Sequence, residues 1–159
     1  MGARATSRRR LFPWRNRRGI AAIEAAFVLP PFITLLLLII EVGVYFTLQS
    51  SLDTGVLATA ETLRSNMVAG SAFAPPTAAA LKTMIISNGG AILGVSSVAV
   101  DVRQLTTLSA GAVAVADGTD DWGGSGSVLV VRAQTTLPFL PGTTSLAVLA
   151  TSIVRRPPY

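Results

Sequence analysis

Glu24 is an acid at the mouth of a long apolar run, five positions after Gly19 and six after Arg18. A carboxylate in that place is costly in lipid, so it asks for a partner or a purpose. Cleavage of the Gly19–Ile20 bond would supply the partner. It would free an α-amino group on Ile20 and make Glu24 the fifth residue of the new chain. A bare carboxylate at an apolar helix tip packed among other helices is strongly disfavoured, whereas one facing an ammonium is compensated. Glu24 is therefore a candidate docking and register device, pairing with an amino terminus in its own chain or a neighbour's. The plainer alternative is an acid lying at the interface, where Arg17 and Arg18 can pair with it before any cleavage.

Those residues need a helix and a membrane to position them. The apolar run, residues 25–46, is 22 residues long. That is about 33 Å of helix at roughly 1.5 Å per residue, against a hydrocarbon core of about 30 Å. A cleaved secretory signal is the competing assignment, but its apolar part is normally about 7–15 residues and ends at a small-residue cleavage site. This run is longer and ends in Phe46-Thr47-Leu48-Gln49. Pro30-Pro31 removes backbone donors and predicts a kink near the start of the helix, with a break as the alternative. Glu41 follows Glu24 by 17 residues, about 26 Å along a helix axis at roughly 1.5 Å per residue. There it either reaches water at the far interface or makes a subunit contact.

Charge is lopsided in a way that orients the segment. Arg4, Arg8, Arg9, Arg10, Arg15, Arg17 and Arg18 all precede Gly19, and no acid does. The net charge of +5 thus divides into +7 before the glycine and −2 after it. Positive charge beside a span holds that side in the cytoplasm, and Arg15, Arg17 and Arg18 form the flank that does so. The arm can also attract anionic lipid headgroups. A nucleic-acid partner is not expected, since no recognisable DNA-binding fold follows the arm and only Phe12 and Trp14 offer stacking surface. Only 13% of residues are charged, below the roughly 25% usual for soluble domains.

Beyond the membrane the helical period continues. Tyr45, Leu48, Leu52, Val56, Ala60, Leu63 and Met67 recur at three- and four-residue spacing, one apolar stripe on a helix from about residue 21 to 67. Glu61 and Arg64 make an i,i+3 pair, and Gly55 is a weak point costing about 1 kcal/mol relative to Ala. Ala69-Gly70 and Ala74-Pro75-Pro76 punctuate a turn. Residues 77–87 read as a short helix with Leu81, Met84 and Ile85 on one face and Asn88-Gly89-Gly90 as its stop. The period then falls to two. Val98, Val100 and Val102 alternate with Ala99, Asp101 and Arg103, a half-buried strand. Residues 112–116 are a weaker second strand, and residues 127–137 and 145–154 are stronger ones joined by Pro138-Phe139-Leu140-Pro141-Gly142. Short connections favour an antiparallel sheet packed on the helix, an α+β domain.

Chemistry on substrates finds little support. The chain has no cysteine and no histidine, which removes thiol chemistry and the commonest general base and metal ligand. Asp117, Asp120 and Asp121 are three carboxylates in five positions. They depart from the alternating Asp-x-Asp-x-Asp-Gly calcium pattern, so a solvated hairpin loop is the simpler assignment. Trp122 beside them either contacts a partner or covers the sheet edge. Neither enzymatic activity, a cofactor nor a metal is expected.

Arg17-Arg18-Gly19-Ile20-Ala21-Ala22-Ile23-Glu24, leading through Ala25-Ala26 into Val28-Leu29-Pro30, resembles the type IV prepilin signal. In its Gly-x-x-x-x-Glu form it resembles the TadE-like family of minor pseudopilins of tight-adherence (Flp) pili. The resemblance is best over residues 17–46 and weaker to the C-terminus, where residues 135–156 look like the strand, Pro-rich turn and strand that close such proteins. It implies cleavage between Gly19 and Ile20 by a prepilin peptidase. It also implies a pilin-like fold, in which a long N-terminal helix spans the membrane in its first half and packs beyond it on a small antiparallel sheet with one short extra helix. The expected domains are a basic cytoplasmic leader (1–19), a transmembrane helix (20–46) and an extracytoplasmic α+β domain (47–159) with helix spine 47–67. The implied partners are the peptidase, other pilin and pseudopilin subunits, the inner-membrane pilus assembly platform and the lipid bilayer. The implied place is the bacterial inner membrane, with the domain in the periplasm or carried into the pilus. An uncleaved single-pass anchor whose outer domain binds another envelope component is the alternative.

Overall fold

The structure is a computed structural model that describes residues 17–68, 73–90, 97–107, 112–137 and 145–158, with only the backbone of Arg17, Arg18 and Leu137. Helix α1 is Arg17–Val68 and α2 is Ala78–Gly89, followed by strands β1 (Val98–Gln104), β2 (Val128–Leu137) and β3 (Leu146–Arg155). The chain divides into two units, Met1–Ile39 and Ile40–Tyr159. The α+β class and the antiparallel sheet expected above are both present, with sheet order β1-β2-β3. The basic arm before Arg17, the Ala69-Gly70 turn and the 138–142 turn lie outside the described residues.

The described part of the first unit is helix. Alanines at 21, 22, 25 and 26 favour it strongly, and the helix runs unbroken through Pro30 and Pro31. Proline lacks an N–H, so the carbonyls of Ala26 and Phe27 lose their usual donors. Thr34 Oγ1 adds a second donor to the Pro30 carbonyl at 2.9 Å. The break considered above is therefore excluded. Large apolar side chains are exposed all round this stretch, among them Phe27 at 77%, Phe32 and Ile39. Its most apolar 18 residues are long and apolar enough to cross a membrane, and none is buried within the protein.

In the second unit the predicted stripe is the spine of the core. Leu48, Leu52, Val56, Ala60, Leu63 and Met67 are all buried, and Tyr45 packs partly against them. The sheet offers them one face. Val98, Val100 and Val102 on β1 share the core cluster with Leu129, Val131 and Ala133 on β2 and with Val148, Ala150 and Val154 on β3. The register places Val100 opposite Ala133, and Ala133 opposite Ala150. Helix α2 starts at the Thr77 N-cap, whose Oγ1 accepts the Ala80 N–H at 3.3 Å, and it buries Leu81 and Ile85.

Gly55 has a duty the sequence did not reveal. A Cβ there would lie 2.5 Å from the Ile85 carbonyl oxygen and 3.2 Å from Gly89 Cα. The glycine lets α1 and α2 approach backbone to backbone, so the helix weakness it brings is offset by close packing.

Residues 112–116 do not form a strand. They begin with a 3₁₀ residue and a bend and continue without regular structure. Their backbone is held by side chains from the sheet: Asp101 Oδ2 accepts the Ala116 N–H at 3.1 Å, and Arg132 donates to the carbonyls of Val113 and Ala114. The following residues lie along the outer edge of β1. Val102 N donates to Thr119 O at 2.8 Å, Asp121 N donates to Val102 O at 3.0 Å, and Val102 and Asp120 form a parallel bridge. The acidic stretch is thus an edge cover and not a free hairpin loop.

Candidate functional site

Gly19, Ile20 and Glu24 lie in the first two turns of α1, and Arg17 and Arg18 open that helix. Arg15 lies outside the described residues. The Gly19–Ile20 peptide is exposed helical backbone, and a Cβ at Gly19 would meet nothing within 4 Å. No packing among the described residues requires a glycine there. Ile20 is exposed, and Glu24 is exposed without a hydrogen bond or ion pair among the described residues. Ile20 and Glu24 are an i,i+4 pair, and residues so spaced share a helix face with Cβ atoms about 5–6 Å apart. An amino group freed at Ile20 would therefore stand within side-chain reach of the Glu24 carboxylate. The helix brings together a glycine peptide, the residue after it and an acid, all accessible.

The acidic stretch is employed locally. Asp117 Oδ1 accepts the Val100 N–H at 3.0 Å, and its other oxygen is 3.9 Å from Lys82 Nζ. Asp121 Oδ1 accepts the Gly123 N–H at 3.1 Å. Among the described residues these carboxylates do not gather into a three-member metal cluster. Trp122 is buried in the core and meets Phe73 edge to face, with ring centroids 5.7 Å apart. Of its two expected roles, partner contact is therefore ruled out, since the ring is inside.

A second constellation was not foreseen. Asp101, expected on a half-exposed strand face, is fully buried, and Arg132 opposite it on β2 is 1% exposed. Arg132 grips the carboxylate with two nitrogens, Nε to Oδ1 at 2.9 Å and Nη2 to Oδ2 at 2.5 Å. Arg103 Nε adds a third bond at 3.1 Å. Alternation placed Asp101 on the face away from the core, which is correct. What buries it is the strap of residues 112–116 laid over that face, and nothing in the local pattern announces a strap. The arrangement is a closed, fully paired ionic latch with no substrate access, so its duty is structural.

Fold and site together define an α+β protein whose N-terminal helix is long and apolar enough to cross a membrane and carries an accessible glycine and acid at its head. Comparison with known families agrees: residues 19–61 match the family described as TadE-like protein. The match covers Gly19, Ile20, Glu24 and the spine as far as Glu61 and leaves the sheet outside. No curated protein and no solved structure matches the chain.

Proposed function

We propose that this protein is a structural, non-enzymatic minor pseudopilin of a tight-adherence pilus. A prepilin peptidase cuts it between Gly19 and Ile20. The arginine arm keeps the N-terminus in the cytoplasm, residues 20–46 span the inner membrane, and the α+β domain from residue 47 stands in the periplasm. After cleavage Glu24 pairs with the amino group of Ile20 or of a neighbouring subunit. Helix packing then replaces lipid contacts as the subunit joins other pilins at the assembly platform.

One observation carries this reading: the glycine peptide and the acid occupy the head of an exposed, membrane-length helix that matches the TadE-like family. The test is the N-terminus of the membrane-associated protein, read by mass spectrometry with the host's prepilin peptidase present. A chain starting at Ile20 is expected. A chain that keeps its arm beside an active peptidase would sink the proposal and leave a permanent anchor. Gly19→Ala sharpens the test, because the site has room for a methyl group. Folding and insertion are expected to persist while processing is lost.

A further inference from the structure

Glu41 sits inside the apolar run, and its Oε2 is buried with no hydrogen-bond partner, the one such side-chain atom among the described residues. It precedes Tyr45 by four positions and Leu48 by seven, so it continues the core-facing stripe of α1 toward the membrane. A buried acceptor left without a donor is rare in folded proteins and marks an absent partner. In an apolar setting the cost of an unpaired carboxylate is high enough that a compensating group is required.

The chain's own cations do not supply it. Arg64 pairs with Glu61, Lys82 with Asp117, and Arg103 and Arg132 with Asp101. Arg156 donates to the carbonyls of Trp122 and Gly123. Arg155 is exposed at the end of β3 and makes no ion pair with Glu41. The seven remaining arginines all precede Gly19, and the nearest, Arg18, is 23 residues earlier, roughly six helical turns at about 3.6 residues each. Among the described residues no cation reaches Glu41, which points to a partner from another molecule.

We propose that Glu41 is an intramembrane docking acid that receives a lysine or arginine side chain from the membrane helix of a neighbouring subunit. Its less covered oxygen is the point of approach, and the delocalised carboxylate charge lets one cation compensate both oxygens. Exposed Val42 and Val44 beside it give the incoming helix apolar surface. The inference rests on the membrane-anchored part of the proposed function and does not need cleavage.

The full chain has no cysteine, so Ser50→Cys gives one labelling site on an exposed position of α1. The labelled protein is placed in phosphatidylcholine vesicles with a synthetic Leu/Ala membrane-spanning peptide that carries either one lysine a turn inside its end or leucine there. Association is read by energy transfer. The lysine peptide is expected to bind about tenfold more tightly, with the preference lost in Glu41→Gln and kept in Glu61→Gln. Equal binding of the two peptides to the wild type, or a preference that survives Glu41→Gln, overturns the proposal. The N-terminus is determined on the same cells. An uncleaved chain that still prefers the lysine peptide sinks the pseudopilin reading alone, and a cleaved chain without the preference sinks this one alone.

Discussion

Arg132→Leu is expected to be among the most damaging single changes in the domain. It removes the bidentate grip on Asp101 and leaves a carboxylate at 0% exposure. Breaking a buried pair from one side costs about 3–5 kcal/mol, because a charge is stranded. Asp101 would keep Arg103 and the Ala116 N–H, so the lower end, about 3 kcal/mol, applies. For a chain of this size that is a fall in Tm of roughly 10 °C. The double change Asp101→Val with Arg132→Leu strands nothing charged in the interior. The strap groups it frees belong to Val113, Ala114 and Ala116, which are exposed and can turn to water, so the double variant should lose only about 1 kcal/mol. The second change is therefore expected to restore about 2 of the roughly 3 kcal/mol that Arg132→Leu loses. Urea unfolding of the detergent-solubilised full chain, followed by circular dichroism, measures both. A single variant as stable as wild type, or a double variant no better than the single, would refute the argument that burial of this pair makes each partner depend on the other.

Three further expectations concern the helices. Gly55→Ala gains about 1 kcal/mol of helix propensity, but it drives a methyl group to 2.5 Å from a backbone oxygen. Overpacking of that kind costs about 1–3 kcal/mol, so the variant should melt lower than wild type; a rise in Tm would show that α2 yields freely. Gly43→Ala has nothing within 4 Å to meet and should leave the melting temperature unchanged or raised. Thr77→Ala removes the cap of α2 and should cost about 1 kcal/mol, seen as faster amide exchange in the first turn of that helix.

Periodicity made the spine and the sheet legible because each reports burial on one side of a regular element. Leu48 to Met67 and the valines of β1 needed no partner to be recognised. The ends of α2 were equally readable, since a threonine cap and a glycine stop are local signals; Gly90 does adopt a φ of 90°. Asp101, Gly55 and the 112–121 segment were not readable, for a common reason. Each takes its meaning from a neighbour distant in sequence: a strap over a strand, a second helix across a first, an edge cover bonded to β1. Alternation can say which face a side chain takes but not what lies over that face. Gly19 and Glu24 could be singled out because the head of a helix is itself local, with glycine, acid and apolar run adjacent along the chain.

Gly19 and Gly55, two of the glycines of α1, lead to opposite expectations, and this makes the proposed function testable. Gly55 is fixed by packing, so losing it would disturb the domain and reveal little about role. A Cβ at Gly19 would meet nothing within 4 Å among the described residues, and a glycine in a helix costs about 1 kcal/mol relative to alanine. Glu24 is likewise an exposed acid without a partner among the described residues, at the entrance to an apolar segment. Under the proposed function these two residues, five positions apart on one helix head, serve molecules that act on the chain: a peptidase for the glycine and a newly made amino terminus for the acid. Variants at either position should therefore leave the melting of the domain untouched while altering processing or assembly, a separation that a purely structural duty for these residues could not produce.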